Sequence, residues 1–238
     1  MSGYYWNQSN FEGLTSLAAA LRADSRLEHL AAYCELREKG LRRESFAQLD
    51  AFLNEAASWD VPVQRLLAVR VLETHWNAPQ VHQFFTDPLR TRFVERVLEE
   101  WRAADANDPI PARYLALLRG DRALLDEALR LNPKDADVRA AIARMLLSFV
   151  DHATHHLVEG RFLGDENEAS SALTEAASIL AGVEDSSSIR GLTENLAALT
   201  LLLADWNEYR RAPEGTFPEW CRARNRNHRW WSIVPFSE

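Results

Sequence analysis

Apolar side chains recur along this chain every three or four residues. Phe46, Leu49, Phe52, Leu53 and Ala56 form one stripe, and Leu89, Phe93, Val97 and Trp101 form another, with charged residues between them. At about 100° per residue, such positions share one face of an α-helix. Start signals precede the stripes. Ser9–Glu12 (SNFE), Ser25–Glu28 (SRLE) and Thr216–Glu219 (TFPE) have capping-box spacing, in which a hydroxyl and a carboxylate satisfy each other's backbone N–H groups. Asp60 before Pro62, Asp87 before Pro88, Asp108 before Pro109 and Asp135 after Pro133 place a short acceptor beside a residue that lacks an N–H. The pattern predicts helices over 9–22, 25–40, 43–57, 61–76, 88–104, 110–119, 121–131, 135–159, 166–181, 186–210 and 217–226. The helix at 186–210 is apolar around much of its circumference, so it is expected at the centre of the C-terminal part.

Composition agrees with a packed helical protein. Of 238 residues, 47% are hydrophobic and 26% charged, and nine Gly and nine Pro leave little material for the turns of a many-stranded sheet. Two cysteines, Cys34 and Cys221, make no disulfide framework and are expected reduced and packed. The start of the chain carries no basic region followed by an apolar core, and the most apolar stretch, Leu196–Ala204, is too short to cross a bilayer. These features predict a cytoplasmic protein without a membrane segment. Nearly all the basic residues are Arg, with only Lys39 and Lys134 as exceptions. With abundant Ala and Leu, that bias suggests a GC-rich bacterial genome.

Net charge is −8 and unevenly spread. Asp165 to Glu208 carries −8 and Tyr209 to Glu238 carries +3. A net acidic chain argues against binding nucleic acid through its whole surface. The uneven charge instead points to a protein partner, a basic one for the acidic segment.

The stretch Leu117–Ala143, LLRGDRALLDEALRLNPKDADVRAAIA, places Ala128 five residues before Pro133. A small residue there lets two helices approach, and Asn132–Pro133 stops one helix and aims the next. This stretch resembles tetratricopeptide-repeat proteins, whose helix–turn–helix units run about 34 residues. The helix before Gly120 is shorter than the family's first helix, and the helix after Asp135 runs on where a unit would turn. The resemblance implies an irregular tetratricopeptide-like α-solenoid or antiparallel helical bundle, and with it a surface for binding a protein segment.

Three groups of residues are candidates for chemistry. His152, His155, His156 and Glu159 fall at i, i+3, i+4 and i+7 of the predicted 135–159 helix, a spacing that could bring imidazoles and a carboxylate to one Zn²⁺. His156 also falls within the apolar stripe Val138, Ile142, Met145, Phe149 and Ala153, so burial in the core is the competing expectation. His75 and His82 flank an aromatic loop, Asn77–Thr86, whose Phe84 and Phe85 could line a pocket or seal a groove between helices. In the tail, Arg222, Arg224, Arg226 and Arg229 mix with Trp220, Trp230 and Trp231. Arginine among aromatics can anchor a protein partner or stack on bases. It can also close the helical stack on itself, with Trp230, Trp231, Ile233, Val234 and Phe236 as the cap and the arginines facing the acidic segment.

No phosphate-binding glycine loop or nucleophile elbow occurs, and no cofactor is implied. The sequence therefore predicts an all-α protein of about eleven helices in one domain, with a possible subdomain boundary near 160–167. Its expected function is that of a non-catalytic interaction module, an adaptor or immunity-type binding protein. The alternatives are a metal-binding protein or enzyme using the His cluster, and nucleic-acid binding through the tail.

Overall fold

In the computed structural model, which describes residues 7–183 and 187–228, 76% of the described residues are helical and none is in a strand. The chain divides into two compact units, Met1–Leu115 and Ala116–Glu238. The division falls inside a helix, and the loop at 160–167 lies within the second unit.

The first unit contains α1 (Gln8–Leu21), a 3₁₀ turn (Ser25–Leu27), α2 (Glu28–Glu38), α3 (Arg42–Ala56) and α4 (Val61–Trp76). Then α5 (Asp87–Leu89) runs through a π-helical segment, Arg90–Glu95, into α6 (Arg96–Ala104), and α7 (Pro109–Arg119) begins before the division. Asp60 caps α4 through the N–H of Val63, at 2.9 Å, with Pro62 in the first turn. Three expected starts shift, and at one of them Thr86, not Asp87, is the N-cap, with Asp87 the first residue of α5. Asn7, not Ser9, sits at the N-cap of α1, and Ser9 lies inside the helix. Asp24, not Ser25, accepts the Arg26 N–H ahead of the 3₁₀ turn. A carboxylate one residue upstream competes with the serine for the same donors.

α2 packs between α1 and α3. His29 at the start of α2 bonds to Gln48 in the middle of α3 at 2.8 Å and lies 3.8 Å from Glu55 at its end, so the two helices run antiparallel. Phe52 sits edge-on to Trp59 and Phe93, with ring centroids 5.7 and 5.1 Å away. The π segment explains a peculiarity of the stripe that contains Phe93. Leu89, Phe93, Val97 and Trp101 are spaced by four, and a regular helix would rotate each about 40° from the last. The wider turn takes up that drift, and all four are buried.

The aromatic loop Asn77–Thr86 is part of this core. Val81 and Phe84 are fully buried. The Gln83 N–H donates to Asn10 Oδ1 at 3.2 Å, and the Tyr33 hydroxyl donates to the Gln83 carbonyl at 2.7 Å. α1 meets the loop at Gly13, where a Cβ would lie 2.3 Å from Val81 Cγ2. Backbone contact this close requires the missing side chain.

The second unit contains α8 (Arg122–Leu131), α9 (Ala136–Thr154), a 3₁₀ turn (Leu157–Glu159), α10 (Glu166–Leu180), α11 (Ser187–Arg211) and α12 (Phe217–Ala223). Asp121, Asp135 and Asp165 cap α8, α9 and α10, and Thr216 with Glu219 forms the expected capping box on α12. Arg139, early in α9, donates to the carbonyls of Ile179 and Ala181 past the end of α10, both at 3.1 Å. Trp206, late in α11, donates its indole N–H to Glu166 at the start of α10, at 3.1 Å. α10 is therefore antiparallel to both neighbours, and α9 and α11 run parallel. Their core joins Leu147, Val150, Leu173, Leu203, Trp206 and Trp220. No helix among the described residues is long and apolar enough to cross a membrane.

α11 departs from its expected place. Among its residues of described burial only Ile189, Leu199, Leu203, Asp205 and Trp206 are buried, while Gly191, Glu194, Ala198 and Leu201 face outward. Its leucines outnumber the neighbours available to cover them. Alternation of Ala, Thr and Asn with those leucines gives it one buried face rather than several.

Candidate functional site

The histidine cluster does not form the predicted site. α9 ends at Thr154, so the helical register that would align His155, His156 and Glu159 with His152 stops there. His155 turns its Nδ1 onto the His152 carbonyl at 2.5 Å, and His156 Nδ1 meets Glu159 Oε1 at 2.9 Å across the following turn. Both contacts use Nδ1, so each ring keeps only Nε2 for a further partner. Among the described residues no group of three or more His, Cys, Asp or Glu is placed to hold a metal ion. The competing expectation also fails in detail, since His156 is half-exposed with its side chain 39% accessible. The buried stripe of α9 runs instead through Val138, Ile142, Leu147, Val150 and Ala153, and Phe149 is exposed.

His75 stacks on Phe85 at 4.5 Å, and burial holds its pKa below the ordinary imidazole value. His82 is exposed. With Phe84 and Val81 inside the core, this loop packs its apolar side chains against the first unit. The cysteines are buried in separate units, and burial pushes the thiol of Cys34 up to about 12 and that of Cys221 to about 11. Both stay protonated at neutral pH, which makes them poor nucleophiles.

The described tail arginines lie at the surface but bond within the chain. Arg222 donates to the Pro218 carbonyl at 3.3 Å. Arg224 lies over the Trp220 ring at 4.3 Å and 3.8 Å from Glu214. Arg226 lies 3.6 Å from Asp205. Trp220 is itself buried, so it offers no platform for a base. Arg229, Trp230 and Trp231, and with them Ile233, Val234 and Phe236, lie outside the described residues. Part of the acidic segment is used internally: Asp165 caps α10, Glu166 takes Trp206 and Arg210, Glu175 takes Arg122, and Asp205 takes His228. Glu168, Glu194 and Glu208 stay exposed, so part of the negative charge read from the sequence does face outward.

One feature was not legible beforehand. α9 and α11 flank an open cleft of about 1080 Å³ to which α10 contributes no residue. Each helix lends one stripe: Arg144, Leu147, Ser148, Asp151 and Thr154 from α9, and Gly191, Leu192, Asn195, Ala198 and Leu202 from α11. Both follow i, i+3/i+4, i+7 spacing, so each is one continuous helical face. Gly191 and Ala198 widen the cleft because their side chains are short. Leu147 and Leu199 supply a buried apolar floor, and Leu201 stands 44% exposed at the edge. Arg144, Asp151 and Glu194 on the rim make no ion pair with other described residues.

Asn227 and His228 form the remaining wall. Asn225 takes a left-handed backbone conformation, φ 53°, which turns the chain after α12 back across the unit. His228 then reaches Asp205 with Nε2 2.8 Å from Oδ2, and both side chains are nearly inaccessible, at 5% and 3%. A buried carboxylate needs such a partner, and the pair ties the chain after α12 to α11. Comparison with known protein families, with curated proteins and with solved structures finds no match to this chain.

Proposed function

We propose that this chain is a non-catalytic helical interaction module, and that its second unit holds a short segment of a protein partner in the cleft between α9 and α11. The observation that carries the reading is the cleft itself. Two parallel helical faces with a leucine floor, small residues at its widest points and unpaired charges of both signs on its rim have the make-up of a helix-in-groove or peptide-binding surface. Apolar floor supplies affinity, and the mixed rim supplies orientation. The tetratricopeptide-like stretch around Ala128 and Pro133 supports the same class, because such repeats hold partner segments between helices. The arginine-rich, lysine-poor composition supports placing the module in a bacterial cell.

Selection of peptides from a displayed random library against the full chain tests the reading. Enriched peptides should carry apolar anchors three or four residues apart. Ala198→Arg, at an exposed position inside the cleft, should weaken them about ten-fold, which corresponds to ~1.4 kcal/mol. Peptides that bind equally well to Ala198→Arg, or no enrichment at all, would overturn it.

A further inference from the structure

The walls of the cleft carry information about the shape and charge of what they hold. α9, α10 and α11 pack on one another in pairs, and α10 runs antiparallel to the other two. An antiparallel four-helix bundle has one more member, seated between the two parallel helices and across from the third. The cleft is that place, since it lies between α9 and α11 and takes no residue from α10. Its α9 wall runs from Arg144 to His155 and its α11 wall from Gly191 to Leu202. At 1.5 Å per residue each is about 16 Å long, or three turns of helix. Ala140, Ala143 and Ile189 share one buried cluster, and Leu147, Val150, Leu199 and Leu203 share another, so the early ends of the two walls are level. Arg144 and Glu194 therefore stand at the early end. Asp151 stands toward the late end, which Asn227 and His228 bound. These three charges have no ion-pair partner among the described residues. Arg144 and Asp151 are seven residues apart, which is two turns along one face of α9.

We infer that the cleft takes a three-turn amphipathic helix of a partner protein, antiparallel to α9 and α11, with a basic side chain in its first turn over Asp151 and an acidic one seven residues later over Arg144. The inference rests on the reading of the cleft as a binding groove and gives the occupant its fold, direction and charge pattern. A helix carries partial positive charge at its N-terminus and partial negative charge at its C-terminus. Antiparallel seating puts the positive end by Asp151 and the negative end by Arg144, and parallel seating reverses both. Glu194, on the opposite wall at the early end, takes a basic side chain in the occupant's last turn, where a cation also suits the helix's own dipole. Apolar residues at i, i+4 and i+7 of the occupant meet the floor made by Leu147 and Leu199, and Gly191 and Ala198 leave room for its backbone. Each rim charge is worth about three-fold in affinity, so the pair on α9 separates the right charge order from the wrong one by about ten-fold.

Two dye-labelled amphipathic peptides of about 18 residues, long enough to hold a helix, test this by anisotropy against the full chain. They share their leucines. One has an arginine in its first turn and a glutamate seven residues later, and the other has the two exchanged. The first should bind about ten-fold more tightly, and the order should invert in the chain carrying Arg144→Glu with Asp151→Arg. Equal affinities, or a preference that the exchange fails to invert, overturn the inference. Direction is read by disulfide exchange. The first peptide, with an activated cysteine at its first residue, should join His155→Cys and spare Gly191→Cys, against a slow background because Cys34 and Cys221 are buried. Joining at Gly191→Cys instead overturns the inference. Sedimentation of the chain alone covers another occupant: a concentration-dependent dimer that Ala198→Arg abolishes gives the groove to a second copy and likewise overturns it. If neither helical peptide binds while library peptides still depend on Ala198, the groove stands as a partner site and only the helical occupant is lost.

Discussion

Gly13→Ala should destabilise the first unit, although helix propensity alone favours the change. Gly13 lies inside α1, where replacing Gly with Ala gains about 1 kcal/mol. The added methyl would sit 2.3 Å from Val81 Cγ2, more than 1 Å inside ordinary contact. Val81 is fully buried and β-branched, so it has no free rotamer to retreat into. Overpacking of that kind costs about 1–3 kcal/mol. If the loop lifts to relieve it, the bonds from the Gln83 N–H to Asn10 and from Tyr33 to the Gln83 carbonyl weaken as well, each worth about 1 kcal/mol. The expected net effect is a loss of about 2 kcal/mol, which lowers a urea midpoint by about 1 M. Val81→Ala removes the obstacle. In that background Gly13→Ala should turn stabilising by about 1 kcal/mol, giving a coupling near 3 kcal/mol in the double-mutant cycle. Circular dichroism at increasing urea reads the stabilities, and hydrogen exchange at the Val81 and Phe84 amides reads the loop. A stabilising Gly13→Ala in the parent chain, or additive single changes, would refute the close contact between α1 and the loop.

Other consequences follow from the paired groups. Arg26 bonds to Asp24 and holds its carboxyl at about 2, below its ordinary value, with Arg70 adding to the effect. A carboxylate whose folded pKa is depressed stabilises the fold at neutral pH, and that contribution is lost as pH falls from about 4 to 2. Because both arginines are more than a third exposed, Asp24→Asn should cost only about 1 kcal/mol at pH 7 and almost nothing near pH 2, measured by thermal melts across that range. Asp205→Ala should cost about 2–3 kcal/mol and open the chain after Asn225 to limited proteolysis, because it strips His228 of a buried carboxylate; Asp205→Asn should cost less. Zinc loading followed by gel filtration should leave less than about a tenth of an equivalent bound, and His156→Ala should not change that, since no three of the described His, Cys, Asp or Glu side chains are placed to share one ion.

Helix positions were legible because their causes are local. Asp60, Asp135 and Thr216 cap where the spacing said they would. The end of α9 was not legible, because nothing in ATHHLVE stops a helix by propensity. Termination depends on Leu157 turning into the core and Gly160 taking a left-handed φ of 73°. Reading the stripe through Phe149 and His156 failed for the same reason: which face of α9 is buried is decided by where α10 and α11 lie. The candidate site was harder still. A cleft between parallel helices needs residues near 150 and near 198 to meet, and only the antiparallel run of α10 between them makes that so. Arginines and acids that looked like partner-binding groups were partly each other's partners, as Arg226 and Asp205 are.

The wide turn between Arg90 and Glu95 bears on how this helix can change length. It holds one residue more than the regular ladder requires. A chain shortened by one there could close the ordinary ladder without a gap, yet Val97, Leu98 and Trp101 would then swing by about 100° about the axis. Phe93 would keep its place beside Phe52 and Trp59 while Trp101 left Arg65, on which it now lies at 4.8 Å. The segment is thus a phase adjuster: it sets the angular offset between the two ends of one helix, and a deletion tolerated in the loop after Ala104 would not be tolerated within it.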